Sequence, residues 1–86
     1  MENVYVHPHA LKHGLTEEEI LYAWDNYISK RRRHIPNTDQ IIAVGFDRAG
    51  HFVQMVGITK KDGVMVYHAM TPPTARFLAE TGLVRK

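Results

Sequence analysis

Apolar and polar positions along the chain change their period once. Ile20, Leu21, Trp24, Tyr27 and Ile28 recur three and four residues apart, the spacing of one helix face. Start signals precede them in Leu15-Thr16-Glu17-Glu18-Glu19-Ile20. Thr16 and Glu19 are placed for a capping box, Leu15 and Ile20 for a hydrophobic staple, and three glutamates in the first turn suit the helix dipole. The pattern predicts a helix over about 17–29. Upstream, Pro8 suits the first turn of a short helix and Gly14 its cap. Val4-Tyr5-Val6 is too short to assign, although it could pair at a sheet edge.

Beyond Ser29 the pattern is extended. Arg31 to Ile35 reads as a first strand, stopped by Pro36-Asn37. Gln40–Phe46, His51–Thr59 and Val64–Met70 read as three more, joined by the turns Asp47-Arg48-Ala49-Gly50 and Lys60-Lys61-Asp62-Gly63. Two short loops in succession make an antiparallel meander. Thr71, or Thr74 after the two prolines, caps a last helix to about Glu80, closed by Gly82. The expected fold is therefore α+β: two N-terminal helices, a three- to four-stranded antiparallel meander sheet, and a C-terminal helix. Simple hairpin registers set His68 opposite Met55, on a face with Ile42, Val44, Val53 and Val66. The other face carries Ile41, Ala43, Phe52, Gln54, Val56 and Tyr67. Both faces are apolar, so the pattern leaves open which one the helices cover.

Composition narrows the class. Eighty-six residues, 44% hydrophobic and 23% charged, make one globular domain over residues 1–86, near the lower limit of what folds unaided. The absence of cysteine removes disulfides, thiolate ligands and cysteine nucleophiles together. The longest apolar run, Ile41 to Phe46, is too short to cross a bilayer. A cytoplasmic protein without membrane contact is expected. The net charge of +2 is a weak pointer to nucleic acid. The single charge run, Lys30-Arg31-Arg32-Arg33-His34, reads either as a phosphate-attracting patch or as a solvated edge between elements.

Three stretches resemble one family. Lys12-His13-Gly14-Leu15-Thr16-x-Glu18-Glu19 resembles the "KHGV-(S/T)-x-E-E" opening of the BrnT-like toxins of bacterial toxin–antitoxin systems. Ile42-x-Val44-Gly45-x-Asp47-x-x-Gly50-x-Phe52-Val53-x-x-Val56 is similar to their central hairpin, "IG-x-S-x-x-G-R-L-L-x-V". Tyr67-His68-Ala69-Met70 lies where the family has its "I-S-A-R" strand, and a related group of small bacterial proteins carries "V-I-H-A-M…R…" there. The resemblance spans Lys12 to Leu78. It implies a RelE-like α+β fold, metal-independent RNA cleavage and a cognate antitoxin partner. The chain departs from the family at Met70, which stands where the toxin strand has arginine, at His68 in place of serine, and at Gln40 in place of an arginine.

Cleaving RNA without a metal needs a base for the ribose 2′-hydroxyl, cations for the phosphorane and an acid for the leaving oxygen. Histidine titrates near neutral pH and arginine grips phosphate through two N–H groups. The chain offers both at Lys12-His13, at Arg31 to His34, and at His68 with Arg76. The expected catalytic residues are His68 and Arg76, with His13; Lys12, Arg32 and Arg33 are the expected phosphate binders. His9 and His13 are four apart with His7 nearby, but no third clear ligand or carboxylate completes a zinc set, so neither metal nor cofactor is expected. Nothing resembles a glycine-rich phosphate loop, a carboxylate pair or a serine triad, and the sole serine, Ser29, has no activating neighbour. The leading expectation is a toxin-like ribonuclease that binds RNA and an antitoxin, with homodimerisation open. The alternative keeps the fold without the site, as a protein-interaction or nucleic-acid-binding domain.

Overall fold

The computed structural model describes residues 3–83. Its elements are β1 (Asn3–Val6), a short 3-10 helix (Pro8–Leu11), α1 (Glu17–Asp25), β2 (Tyr27–Arg32), β3 (Gln40–Phe46), β4 (Phe52–Lys60), β5 (Gly63–Met70) and α2 (Ala75–Glu80). Thr16 starts α1 through the reciprocal box that the sequence signals. Its hydroxyl accepts the Glu19 N–H at 3.1 Å, and the Glu19 carboxylate accepts the Thr16 N–H at 2.8 Å.

The helix stops four residues short of the expected 17–29. At Asn26 both the backbone N–H and the side-chain amide donate to the Tyr22 carbonyl, at 3.0 and 2.8 Å, and the backbone leaves helical geometry at φ −109°, ψ 46°. Asparagine competes for backbone partners in this way and so favours helix ends. Tyr27 and Ile28, which continue the helical spacing, instead open β2 and lie exposed. The strand expected at Arg31–Ile35 is thus β2, Tyr27–Arg32, because its pairing with β3 takes over at the helix end.

The five strands lie in the order β1-β5-β4-β3-β2. β3, β4 and β5 form the expected meander, and β2 adds antiparallel to β3. β1 pairs parallel with β5, so the sheet is mixed and five-stranded rather than a purely antiparallel sheet of three or four. The N-terminus supplies a strand, a 3-10 turn and one α-helix, not two helices. The cause is topological. The chain enters at one edge of the sheet and must reach the other, so everything between β1 and β2 becomes a crossover lying on a sheet face.

Both faces are covered. Ile20, Ala23 and Trp24 of α1, with Leu15 and Ala10, pack on Ala43, Val53, Met55, Val64, Val66 and Ala69. On the opposite face Phe77 of α2 packs on Ile42, Val44 and Val56, flanked by Phe52, Tyr67 and Leu78. α1 passes close over Gly45: a Cβ there would lie 2.1 Å from the Ala23 carbonyl oxygen. Thr74, not Thr71, caps α2 by accepting the Phe77 N–H at 3.1 Å. Gly82, at φ 83°, closes the helix, with its own N–H on the Ala79 carbonyl and the Leu83 N–H on the Leu78 carbonyl.

A register shift beside Gly57 leaves Tyr67 as the extra residue of a β-bulge. His68 therefore pairs with Val56 rather than Met55. The shift moves His68 to the α2 face of the sheet, beside Gln54.

Candidate functional site

β1 ends at Val6, so the second half of β5 has no strand on its outer side. The 3-10 helix takes that place, anchored by the His7 N–H on the Val66 carbonyl at 2.8 Å. The segment carrying His9, Lys12 and His13 is thereby brought against the bulge at His68. The His13 ring meets the His68 ring edge-on, with centroids 5.7 Å apart and planes at 78°.

The state of His68 follows from its neighbour. Gln54 is buried, and its side-chain oxygen accepts the Thr74 backbone N–H at 2.8 Å. A backbone N–H can only donate, so this contact fixes which end of the amide is oxygen. The Gln54 NH2 group then faces His68 Nε2 at 3.0 Å. His68 Nε2 must accept, which leaves its proton on Nδ1 and the ring neutral. Electrostatics agree: burial pushes the His68 pKa down, and the positive charges of His13, Lys12, His9 and Arg33 push it further the same way. Protonation at Nε2 would set two donors against each other.

The arginines are differently placed. Arg33 forks onto Glu80, with Nε 2.7 Å from Oε2 and Nη2 3.0 Å from Oε1, while Nη1 donates to Gln40 Oε1 at 2.6 Å. The hydrogen bond to Glu80 raises the Arg33 pKa, and the same bond from Arg33 lowers that of Glu80. Gln40, standing where the resembled family would place an arginine, thus holds the guanidinium of Arg33, the residue just past β2. Arg32 donates from Nη1 to the Thr38 carbonyl at 2.6 Å and to Thr59 Oγ1 at 3.0 Å. Arg76 is exposed on α2, and its charge bears on Glu80. No hydrogen bond or ion pair joins Arg76 to His68 among the described residues.

Of the expected site residues, His13, His68 and Lys12 are therefore brought together, with the Arg33 charge acting on His68; Arg32 and Arg76 make their contacts elsewhere. Gln54, Gln40 and Glu80 were not expected at all. One signal for Gln54 was present. It is the only polar side chain between Phe52 and Val56, and a buried amide must be paired.

This arrangement can hold an anion. Lys12 and His13 are exposed, no hydrogen bond among the described residues occupies the His13 ring, and His68 Nδ1–H is a donor in the same cluster. It is poorly suited to a metal. His7 Nδ1 already accepts the His9 N–H at 3.0 Å, and no three potential ligands converge among the described residues. A shallow surface hollow lies elsewhere, on the outer side of α1 against Arg48. Its lining includes Glu17, Glu18 and Asp25, which would repel phosphate.

Among the described residues no helix is long and apolar enough to cross a membrane. The chain matches no family model, no characterised protein and no solved structure at a significant level.

Proposed function

We propose that the chain binds RNA at the His13–His68 cluster and cleaves it without a metal, as a toxin-like ribonuclease held in check by a protein partner. The observation that carries this reading is the edge-on contact of the His13 ring with His68, whose pKa burial and the charges of His13, Lys12 and His9 push down. In the reaction the His13 ring takes the proton of the ribose 2′-hydroxyl. The 2′-oxygen attacks phosphorus and the bond to the 5′-oxygen breaks. Lys12 and the His68 Nδ1–H hold the charge of the phosphorane, and the His9 ring gives a proton to the departing oxygen. Each proton transfer of this kind contributes about 100- to 10,000-fold.

A second reading has its own observation. Gln54 occupies the His68 Nε2 that a general base would use, and Glu80 neutralises Arg33. A domain that binds RNA or protein without cutting would tolerate both features. Expression in bacterial cells separates the two. The ribonuclease reading expects growth arrest and fragmented cellular RNA with the native chain, and neither with a folded His13→Gln variant. Growth unaffected by abundant native protein in a strain lacking any partner gene would defeat it. Retention of uncut RNA on the purified protein, weakening steeply with salt, would favour the binding domain.

A further inference from the structure

Glu80 stands in the last turn of α2, where the negative end of the helix dipole disfavours a carboxylate. Its partner is Arg33, which takes both carboxylate oxygens through Nε and Nη2, the planar fork that a guanidinium also presents to phosphate. Other positive groups converge on the same place. The Arg33 bond holds the Glu80 pKa down, and electrostatic attraction from Arg76 and His34 adds to it. Arg31 donates to the Glu80 carbonyl at 3.5 Å. The pair is open to solvent, its side chains 27% and 40% exposed, so an anion can meet the guanidinium without opening the core. Gln40 Oε1 grips Nη1 at 2.6 Å from the sheet and keeps the fork aimed if the carboxylate leaves. Arg33 is also among the charges that hold the His68 pKa down, so the fork and the histidine cluster can act on one polyanion.

We propose that the Arg33 fork is a phosphodiester subsite closed by Glu80, and that one backbone phosphate of bound RNA displaces the carboxylate while another sits at Lys12 and His13. The inference rests on the RNA-binding reading and is indifferent to whether the RNA is cut. Glu80 is tethered beside its arginine, so a lone phosphate competes with it poorly. A chain already held at Lys12 competes as a linked ligand, at high effective concentration. The gate thus selects polynucleotide over free phosphate or mononucleotide. An acidic partner peptide is disfavoured, because it would exchange a tethered carboxylate for an untethered one.

The test uses the full chain and a ten-nucleotide 2′-O-methyl oligouridylate, which has no 2′-hydroxyl to react. 15N NMR follows the Arg33 Nε–H and the His13 ring, and fluorescence anisotropy gives affinity and its salt dependence. The oligonucleotide is expected to move both resonances, and uridine monophosphate only that of His13. Glu80→Gln should tighten the oligonucleotide by about two- to fivefold, the worth of an exposed ion pair, and let the mononucleotide reach Arg33. Arg33→Gln should lower the slope of log affinity against log salt by about one, whereas Arg33→Lys should keep the slope and still weaken binding. If Arg33→Gln melts early, the native Arg33 shift and the Glu80→Gln tightening decide. An oligonucleotide that moves His13 but not Arg33, with Glu80→Gln no tighter, overturns the subsite and leaves RNA binding standing. No binding by either the native or the Glu80→Gln chain overturns both. An oligo-aspartate that moves the Arg33 resonance at lower concentration than the oligonucleotide overturns the phosphodiester assignment in favour of an acidic partner.

Discussion

Replacing Gln54 by glutamate keeps the side chain's length and reverses its demand on His68. In the native chain the amide oxygen is committed to the Thr74 N–H at 2.8 Å, so its NH2 must donate to His68 Nε2 at 3.0 Å. A carboxylate in the same place keeps the Thr74 contact but offers His68 a second acceptor, which only a protonated Nε2 can satisfy. An opposite charge this close favours the charged form by roughly 1–3 pKa units, and each unit is worth about 1.4 kcal/mol before solvent screening at a half-exposed ring. His68 should therefore move from below the ordinary histidine range to above it. The linkage changes sign with it. In the native chain the depressed pKa gives stability that is present above the unfolded value and lost as pH falls through the folded one. In Gln54→Glu the contribution is full below the unfolded value and lost as pH rises through the folded one. Imidazole 15N and 13C NMR titration reads both the tautomer and the pKa. An Nε2–H tautomer in the native chain, or a His68 pKa that does not rise in the variant, would refute the reasoning.

Gly45→Ala should destabilise severely, because the clash is with the α1 backbone rather than with a side chain that can turn away. Overpacking costs typically about 1–3 kcal/mol, and displacing a helix lies at or above that upper end. A fall in Tm of at least about 12 °C by circular dichroism is expected, and a fall under 4 °C would count against the close approach. Burial raises the Asp47 pKa, but the backbone N–H and the ring of His51 outweigh it, and the net shift is downward. Native stability should therefore carry a component that fades as pH falls through the folded Asp47 value. Asp47→Asn should flatten the acid limb of the Tm–pH curve, and an unchanged limb would show that the turn contributes nothing there.

Local chemistry made part of the fold legible. The Thr16–Glu19 box, the two hairpin turns and the Gly82 closure are signalled within a few residues and occur as expected. The misreadings involve partners far along the chain, with Asn26 adding a local stop at the end of α1. Trp24, Tyr27 and Ile28 sit at perfect helical spacing, yet only the first stays in the helix, because β3 offers Tyr27 and its neighbours a strand. β1 is four residues long and exists through its pairing with Gly63 to Val66. Strand pairing of this kind is settled by tertiary context rather than by propensity. The site shows the same division. His13 and His68 were legible as chemistry-bearing residues, whereas their contact depends on β1 stopping short and on one bulged residue. That bulge also set Gln54 beside His68, a contact that unshifted hairpin registers exclude.

The most direct test is cleavage of a single-stranded RNA of mixed sequence by the purified chain in EDTA, with product ends identified by mass. The expected products carry 2′,3′-cyclic phosphate and 5′-hydroxyl ends. Their rate of formation should be unaffected by chelator and fall about 100-fold or more in a folded His13→Gln variant. RNA that stays intact with protein in excess, cleavage that disappears in EDTA and returns with a divalent metal, or cleavage that persists when His13→Gln and His68→Gln are combined would each contradict metal-independent chemistry at the His13–His68 cluster.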